Sequence, residues 1–229
     1  MSTNHLQTKQ PSANAAKPYK GMAMEGLVAR WYTKIRKEDP GREQMIRHVR
    51  ETLPAGGRIL EIAPGPGYLA IELAKLGYTV VGLDISQTFV QIAQDKAREA
   101  GVTVEFRHGN ASDMPFEAGT FDFIICVAAF KNFTKPVQAI QEIYRVLKPG
   151  GKALIADLRR DASPEEINAH IEELGLSPIN AWITRLTFKH FLLKNAYSKA
   201  DIRQLVSQTD FVTYDIREDP VGMEIWLEK

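Results

Sequence analysis

The stretch LEIAPGPG, residues 60–67, decides the fold. It begins inside a short apolar run, Arg58 to Ile62, that reads as a buried strand. It ends in two glycines and two prolines, which break both strand and helix. Tyr68 to Leu76 then has helical spacing and stops at Gly77. Strand, glycine loop and helix in that order make half of a βαβ unit, whose loop lets a ligand approach the backbone at the helix N-terminus.

Outward from this unit the alternation continues. Thr79 to Leu83 is a second strand stopped by Asp84, and Ser86 is placed to cap a helix to Ala100 with Phe89, Val90, Ala93 and Ala97 on one face. Val102 to Phe106 reads as a third strand, and Phe121 to Val127 as a fourth, buried on both sides. Pro136 opens a helix with Val137, Ile140, Ile143, Tyr144 and Leu147 on its apolar face, and Lys148 to Gly151 turns into a fifth strand, Ala153 to Leu158. The rhythm then changes to helical stretches at Pro164 to Leu174 and Thr187 to Lys194, and a helix from Ser198, where Ser198 and Asp201 have capping-box spacing. Phe211 to Ile216 and Met223 to Leu227 are joined by too few residues for a helical crossover, so they are antiparallel neighbours. Before the first strand, Glu25 to Ile35 and Gly41 to Leu53 are amphipathic helices.

The expected architecture is an α/β, three-layer α/β/α sandwich: a seven-stranded, mostly parallel sheet with an antiparallel last strand, and a helical cap inserted before the final helix. Residues 1–18 are polar, without an apolar core, and read as a disordered tail. Residues 19–229 read as one domain, with N-terminal helices at 19–56, a ligand-binding core at 57–158, the cap insertion at 159–198, and the last helix and strand pair at 199–229.

The loop alone admits two ligands. Gly65-Pro66-Gly67-Tyr68-Leu69-Ala70 satisfies the G-x-G-x-x-A dinucleotide pattern. Pro64 and Pro66, however, each remove an N–H that a pyrophosphate would want, and Glu61 just before the loop repels phosphate while suiting an ammonium. Asp84, at the end of the second strand, is placed to accept two ribose hydroxyls; its plain alternative is a charge at a helix start.

In these segments the chain resembles the class I, Rossmann-like, S-adenosylmethionine-dependent methyltransferases, of the small-molecule type related to those of quinone biosynthesis. The resemblance runs from about Gly57 to Asp157. It is carried by LEIAPGPG (60–67), VVGLDIS (80–86), GNASDMPFEAGTFDFIICVAAFKNF (109–133) and EIYRVLKPGGKALIADL (142–158). The antiparallel final strand fits that family and not the nicotinamide dehydrogenases. The resemblance implies S-adenosylmethionine as cofactor and S-adenosylhomocysteine as product. Glu61, Ala63, Gly65 and Gly67 would lie on the methionyl side and Asp84 on the ribose. Ile85 would pack on the adenine, Asn110 and Ala111 would meet its edge, and Cys126 would offer its backbone carbonyl. Tyr32, on the N-terminal helix, would meet the cofactor carboxylate. Four departures stand out: Ala63 replaces the usual first glycine, Pro64 a commonly small residue, Asn110 a frequent Asp, and Lys131-Asn132 a histidine pair.

A sulfonium methyl is already electrophilic, so its transfer needs alignment more than a dedicated base. The active site should open at the carboxyl ends of the strands. That places Lys131, Asn132, Asp157 and Arg159 near the acceptor. Lys131 or Arg159 would pair with an acidic substrate and Asp157 would take a proton; their plain alternatives are solvated charges and caps. His190 and Tyr197 fall in the cap, with Trp182, Phe188 and Phe191, as an aromatic acceptor pocket or as the cap's own core. His48, His108 and His170 read as surface histidines.

Over 229 residues the net charge is +1, which gives no field to gather nucleic acid. A small-molecule acceptor is therefore expected ahead of protein or RNA, with a non-catalytic S-adenosylmethionine-binding subunit as the alternative class. The single cysteine excludes an internal disulfide, no group has metal-ligand spacing, and no apolar run spans a bilayer. A cytoplasmic address is expected, without a metal and without membrane insertion.

Overall fold

The computed structural model describes residues 19–20, 24–35, 41–173, 178–187 and 193–229. The expected tail, 1–18, lies outside them. Seven strands form one sheet: β1 (Arg58–Ile62), β2 (Thr79–Asp84), β3 (Glu105–His108), β4 (Phe121–Val127), β5 (Leu147–Leu158), β6 (Thr213–Glu218) and β7 (Gly222–Glu228). Their order is β3-β2-β1-β4-β5-β7-β6, and β7 alone runs antiparallel to its neighbours. This is the expected mostly parallel, Rossmann-like sheet. The chain leaves β1 toward β2 and β3, then returns to build β4 and β5 on the other side. A crevice therefore opens above the carboxyl ends of β1 and β4.

Strand alternation divides the core. Leu60, Ile62, Ile124 and Cys126 point to one face. There they meet α5 (Pro136–Val146) through Ile140 and Ile143, and α8 (Lys199–Val206) through Ile202 and Val206. Ile59, Phe123, Ile125 and Leu154 point to the other face. They pack under α2 (Gly41–Thr52), α3 (Tyr68–Lys75) and α4 (Gln87–Glu99). Glu61, two residues from Ile59, shares that second face, which is how a carboxylate comes to be buried beside α3. The Ser86 cap accepts from the Phe89 N–H at 3.0 Å, and the Ser198–Asp201 capping box is complete. Helix α1 (Gly26–Ile35) precedes this core.

Four boundaries differ from expectation. Strand β3 begins at Glu105 because Val102 and Val104 pack into the α2/α3/α4 layer instead of the ladder. Strand β6 begins at Thr213 because Phe211 turns inward against Tyr144, ring centroids 5.0 Å apart. Strand β5 starts at Leu147, ahead of the expected Ala153, with a register break that absorbs Pro149 and Gly150. In the cap, α6 (Pro164–Glu173) is where expected, but the second helix, α7, is Pro178–Thr187 and not Thr187 to Lys194. Residues 188–192 lie outside the described residues, and Leu193 to Asn195 are bend and turn. Pro178 at the first helical position explains the earlier start.

Among the described residues, no helix is long and apolar enough to cross a membrane and no cluster of His, Cys, Asp and Glu has metal-holding geometry.

Candidate active site

The glycine loop has an alternating backbone. Ala63, Gly65 and Gly67 have φ of 54°, 54° and 78°, separated by Pro64 and Pro66, whose rings hold φ near −65°. Its hydrogen-bond donors are all engaged. The Ala63 N–H donates to the Leu83 carbonyl at 2.8 Å and Gly67 to Pro64 at 3.0 Å. The Gly65 N–H donates to Asp84 Oδ2 at 3.0 Å. Two prolines without N–H and three occupied amides leave no donor between 63 and 67 for a pyrophosphate. The dinucleotide reading of the loop fails on this count.

The two glycines differ in purpose. A Cβ on Gly65 would meet nothing within 4 Å, so the space above it is open. A Cβ on Gly67 would lie 2.8 Å from Ala93 Cβ and from Phe106 Cζ, so that glycine lets α4 and β3 close under the loop. Above Gly65 is a hollow of about 170 Å³ whose lining includes Tyr32, Arg42, Glu61, Ala63, Gly65 and Val127. It brings together four of the expected cofactor residues from α1, β1 and the loop. Arg42, at the start of α2, has no local signal in the sequence.

Glu61 is 5% exposed, and among the described residues its Oε2 has no hydrogen-bond partner. Burial pushes its carboxyl up to about 8, and the Asp84 charge adds to the rise. A hydrogen bond from the Ala70 amide, in the first turn of α3, and the Arg42 charge oppose it. A buried carboxyl oxygen with no donor, on a residue that lines a hollow, suits a cationic hydrogen-bond donor.

Asp84 is also buried, and both of its oxygens are held: Oδ2 by Gly65 and Oδ1 by the Ser86 N–H at 2.8 Å. Burial pushes it up to about 6 against the pull of those two amides. Each oxygen retains a second lone pair. Asp84 thus faces the loop and is not a bare helix-start charge. Ile85 follows it, half-buried, with its carbonyl oxygen 3.1 Å from His108 Nε2. Asn110 Oδ1 accepts from the Ser112 N–H at 2.9 Å and Ala111 is buried beside it. Cys126 lies inside the sheet, level with Ile62 and Ile155, where burial pushes its thiol well above the usual range. Only its backbone is available for contact. Tyr32 is half-buried, edge-on to Phe89 at 5.9 Å.

On the acceptor side the structure corrects two expectations. Lys131 and Asp157 are not separate, solvated charges but one buried pair. Lys131 Nζ donates to Asp157 Oδ1 at 2.5 Å and to the Ala128 carbonyl at 3.1 Å. Asp157 also accepts from the backbone amides of Lys131 at 2.9 Å and Leu158 at 2.8 Å. Both charges are thus held inside the fold, facing each other and not bulk solvent. Together they pin the turn after β4, where Ala128 is held at φ 56°. Arg159 is likewise engaged, with Glu166 at 2.7 Å and Glu218 at 3.4 Å.

Asn132 and Tyr197 are linked through Lys20, whose backbone N–H donates to the Asn132 carbonyl at 2.7 Å. Asn132 Nδ2 donates to the Tyr19 hydroxyl at 2.9 Å, and Asn132 Oδ1 accepts from Asn195 at 3.2 Å. The Tyr197 ring packs on Phe130 at 5.7 Å and its hydroxyl accepts from Lys20 Nζ at 3.2 Å. His190, Phe188 and Phe191 lie outside the described residues. Trp182 is 62% exposed on α7. Sequence reasoning missed Tyr19, whose phenol is pushed up to about 12 by burial and lies within electrostatic range of Tyr32, Asp84 and Asp157. His48 is not a surface histidine: its Nε2 is 2.8 Å from Glu224 Oε1, so it ties α2 to β7.

Comparison with known proteins agrees with this geometry. Residues 60–155 match the family model described as a methyltransferase domain. Over 108 residues the chain is 34% identical to the ubiquinone biosynthesis O-methyltransferase of Xanthomonas axonopodis pv. citri (strain 306), covering 47% of this chain and 45% of that one. It is 38% identical over 102 residues to the demethylmenaquinone methyltransferase of Thermus thermophilus, covering 44% and 46%. The aligned stretch spans about half the length of these curated relatives. Two solved structures share the fold over nearly the whole chain. A putative S-adenosyl-L-methionine-dependent methyltransferase from Methanococcus maripaludis has a TM-score of 0.70 at 22% identity, covering 96% of this chain and 97% of its own. An S-adenosylmethionine-dependent methyltransferase from Aquifex aeolicus has 0.66 at 18%, covering 87% and 97%.

Proposed function

We propose that this chain, whose residues 60–155 match a methyltransferase-domain family model, is a class I, S-adenosylmethionine-dependent methyltransferase related to those of quinone biosynthesis, which binds that cofactor above Gly65 and methylates a small-molecule acceptor. The observation that carries the reading is the donor-poor loop beside a buried, partnerless Glu61 oxygen. That combination repels a phosphate and fits a cationic, phosphate-free nucleoside.

When bound, the cofactor supplies an electrophilic methyl on a sulfonium. The chain's own residues do the rest. Glu61 receives the ammonium of the methionyl part, with Ala63 and Gly65 allowing close approach and Gly67 setting the loop on α3. Tyr32 meets the carboxylate side and the Cys126 backbone carbonyl faces the methionyl group. Asp84 keeps its two amide bonds and accepts the ribose hydroxyls with its remaining lone pairs. Ile85 packs on the adenine, and Asn110 and Ala111 meet its edge. The Lys131–Asp157 pair fixes the wall of the acceptor space, with Asn132 and Tyr197 beside it as the polar candidates for meeting the acceptor; His190 lies outside the described residues. None of these need act as a base if the nucleophile arrives ionised. The relatives' names make quinone precursors, methylated at oxygen or carbon, the first acceptors to test. We assign residues 19–229 to one domain acting in the cytoplasm.

Calorimetry with S-adenosylmethionine, S-adenosylhomocysteine and NAD tests the cofactor. The first two should bind and NAD should not; NAD binding with no response to the others overturns the proposal. Transfer of labelled methyl to quinone precursors, phenols, thiols and amines then tests catalysis.

A further inference from the structure

Strand β6 is an edge: among the described residues it pairs with β7 and with nothing on its other side. Its outer row of N–H and C=O groups is a template for another strand. The residues it exposes are patterned in an unusual way. Asp215 and Arg217 stand two apart on one face, 59% and 61% exposed, paired with each other, Nε to Oδ2 at 2.8 Å, with the Arg217 guanidinium also 5.4 Å over the Trp226 ring. Val212, just before the strand, is 89% exposed, and Tyr214 is 40% exposed. Charges on an edge normally keep sheets apart, because an approaching copy brings like charges together. Here the arithmetic is reversed. Antiparallel pairing of β6 with itself about a two-fold axis through Ile216 sets Asp215 opposite Arg217 of the second copy, and Arg217 opposite its Asp215. Directly opposed residues have Cβ atoms about 5 Å apart, within ion-pair reach. The same register sets Tyr214 against Glu218 and lays the bare Val212 side chain along the turn at Pro220 of the second copy.

The other sheet edge carries a similar pair, Glu105–Arg107, on a shorter and less exposed strand. Strand β3 is four residues long, and its Arg107 is engaged with Glu105 at 2.5 Å, the Pro115 carbonyl at 3.3 Å and the Phe116 ring at 5.1 Å.

We propose that β6 is a self-complementary docking edge, and that its partner is a second copy of this chain, joined antiparallel to continue the sheet across a two-fold axis with reciprocal Asp215–Arg217 pairs. An isologous contact of this kind closes on itself and stops at the dimer. It lies at the end of the sheet, away from the crevice above β1 and β4, so both copies keep their hollows.

Sedimentation equilibrium of the full chain tests it. The wild type should be dimeric at about 100 µM and dissociate as salt approaches 1 M, where the screening length falls to about 3 Å. Asp215→Arg places two arginines face to face and should weaken the dimer about thirty-fold, the sum of two lost attractions and two new repulsions at exposed sites. The double variant Asp215→Arg, Arg217→Asp restores opposite charges across the axis and should restore the dimer. That recovery separates a lost contact from a damaged fold. A monomeric wild type at that concentration, a dimer untouched by Asp215→Arg, or a double variant as weak as the single would each overturn the proposal.

Discussion

Replacing Glu61 by Gln keeps the shape of the side chain and removes its charge, and the structure says what that should do with and without cofactor. In the folded chain burial raises the Glu61 carboxyl from 4.5 to about 8. Between those two values the folded state holds a proton that the unfolded chain has released, so stability falls as pH rises and the loss is complete above about 8. At 1.36 kcal/mol per pH unit, the penalty at pH 7 is about 3 kcal/mol. Glu61→Gln escapes it. Without cofactor the variant should match the wild type near pH 4.5 and exceed it in stability by about 3 kcal/mol at pH 7, rising to about 4 kcal/mol at pH 8, read by urea unfolding at several pH values. A shallower slope remains in both proteins from Asp84, raised in the same direction to about 6. Cofactor binding should move the other way. An ammonium against Glu61 restores its ionised form, so binding at pH 7 should release close to one proton, seen as a dependence of calorimetric heat on buffer ionisation. Glu61→Gln should abolish that release and weaken binding roughly 10- to 100-fold, the worth of one hydrogen bond to a charged group. If the variant binds S-adenosylmethionine as tightly as the wild type, or if its unfolding keeps the same pH slope, the reasoning from the partnerless oxygen is wrong.

Three further substitutions have outcomes set by the backbone and by burial. Ala63→Gly should stabilise the chain by about 1 kcal/mol in thermal unfolding, because φ 54° costs an L-residue more than the added freedom of the unfolded glycine. Gly67→Ala should destabilise it by about 2 kcal/mol or more and lower the yield of folded protein, since its Cβ meets Ala93 and Phe106 at 2.8 Å with φ at 78°. Lys131→Met alone should cost about 3–5 kcal/mol by leaving Asp157 buried and unpaired, and adding Asp157→Asn should recover part of that; equal loss in both would mean the pair is not coupled.

How far the chain could be read in advance follows from where each signal is stored. The loop, Asp84 and the five parallel strands were legible because prolines, glycines and apolar runs act over a few neighbouring residues. The close of the sheet was legible for the same reason: Arg217 to Gly222 is too short to cross over. Strand β3 was misplaced because Val102 and Val104 look like strand residues but bury themselves in the helical layer. The Lys131–Asp157 pair was invisible as a pair. Asp157 lies near the end of β5 and Lys131 in the turn after β4, and they meet only because β4 and β5 are neighbours in the sheet. Tyr19 and Arg42 enter the site from segments whose local sequence says nothing of a ligand. Their positions are set by how the N-terminal residues lie over the crevice, a property of the whole fold.

The central claim is that a cationic, phosphate-free nucleoside binds with its ammonium in the hollow beside Glu61 and its ribose reaching across Gly65 to Asp84. A crystal structure of the chain with S-adenosylhomocysteine tests it most directly. The ligand's amino group should face Glu61 Oε2 and its ribose hydroxyls should reach the Asp84 carboxylate. Density for the ligand elsewhere on the molecule, with Glu61 and Asp84 untouched, would contradict it.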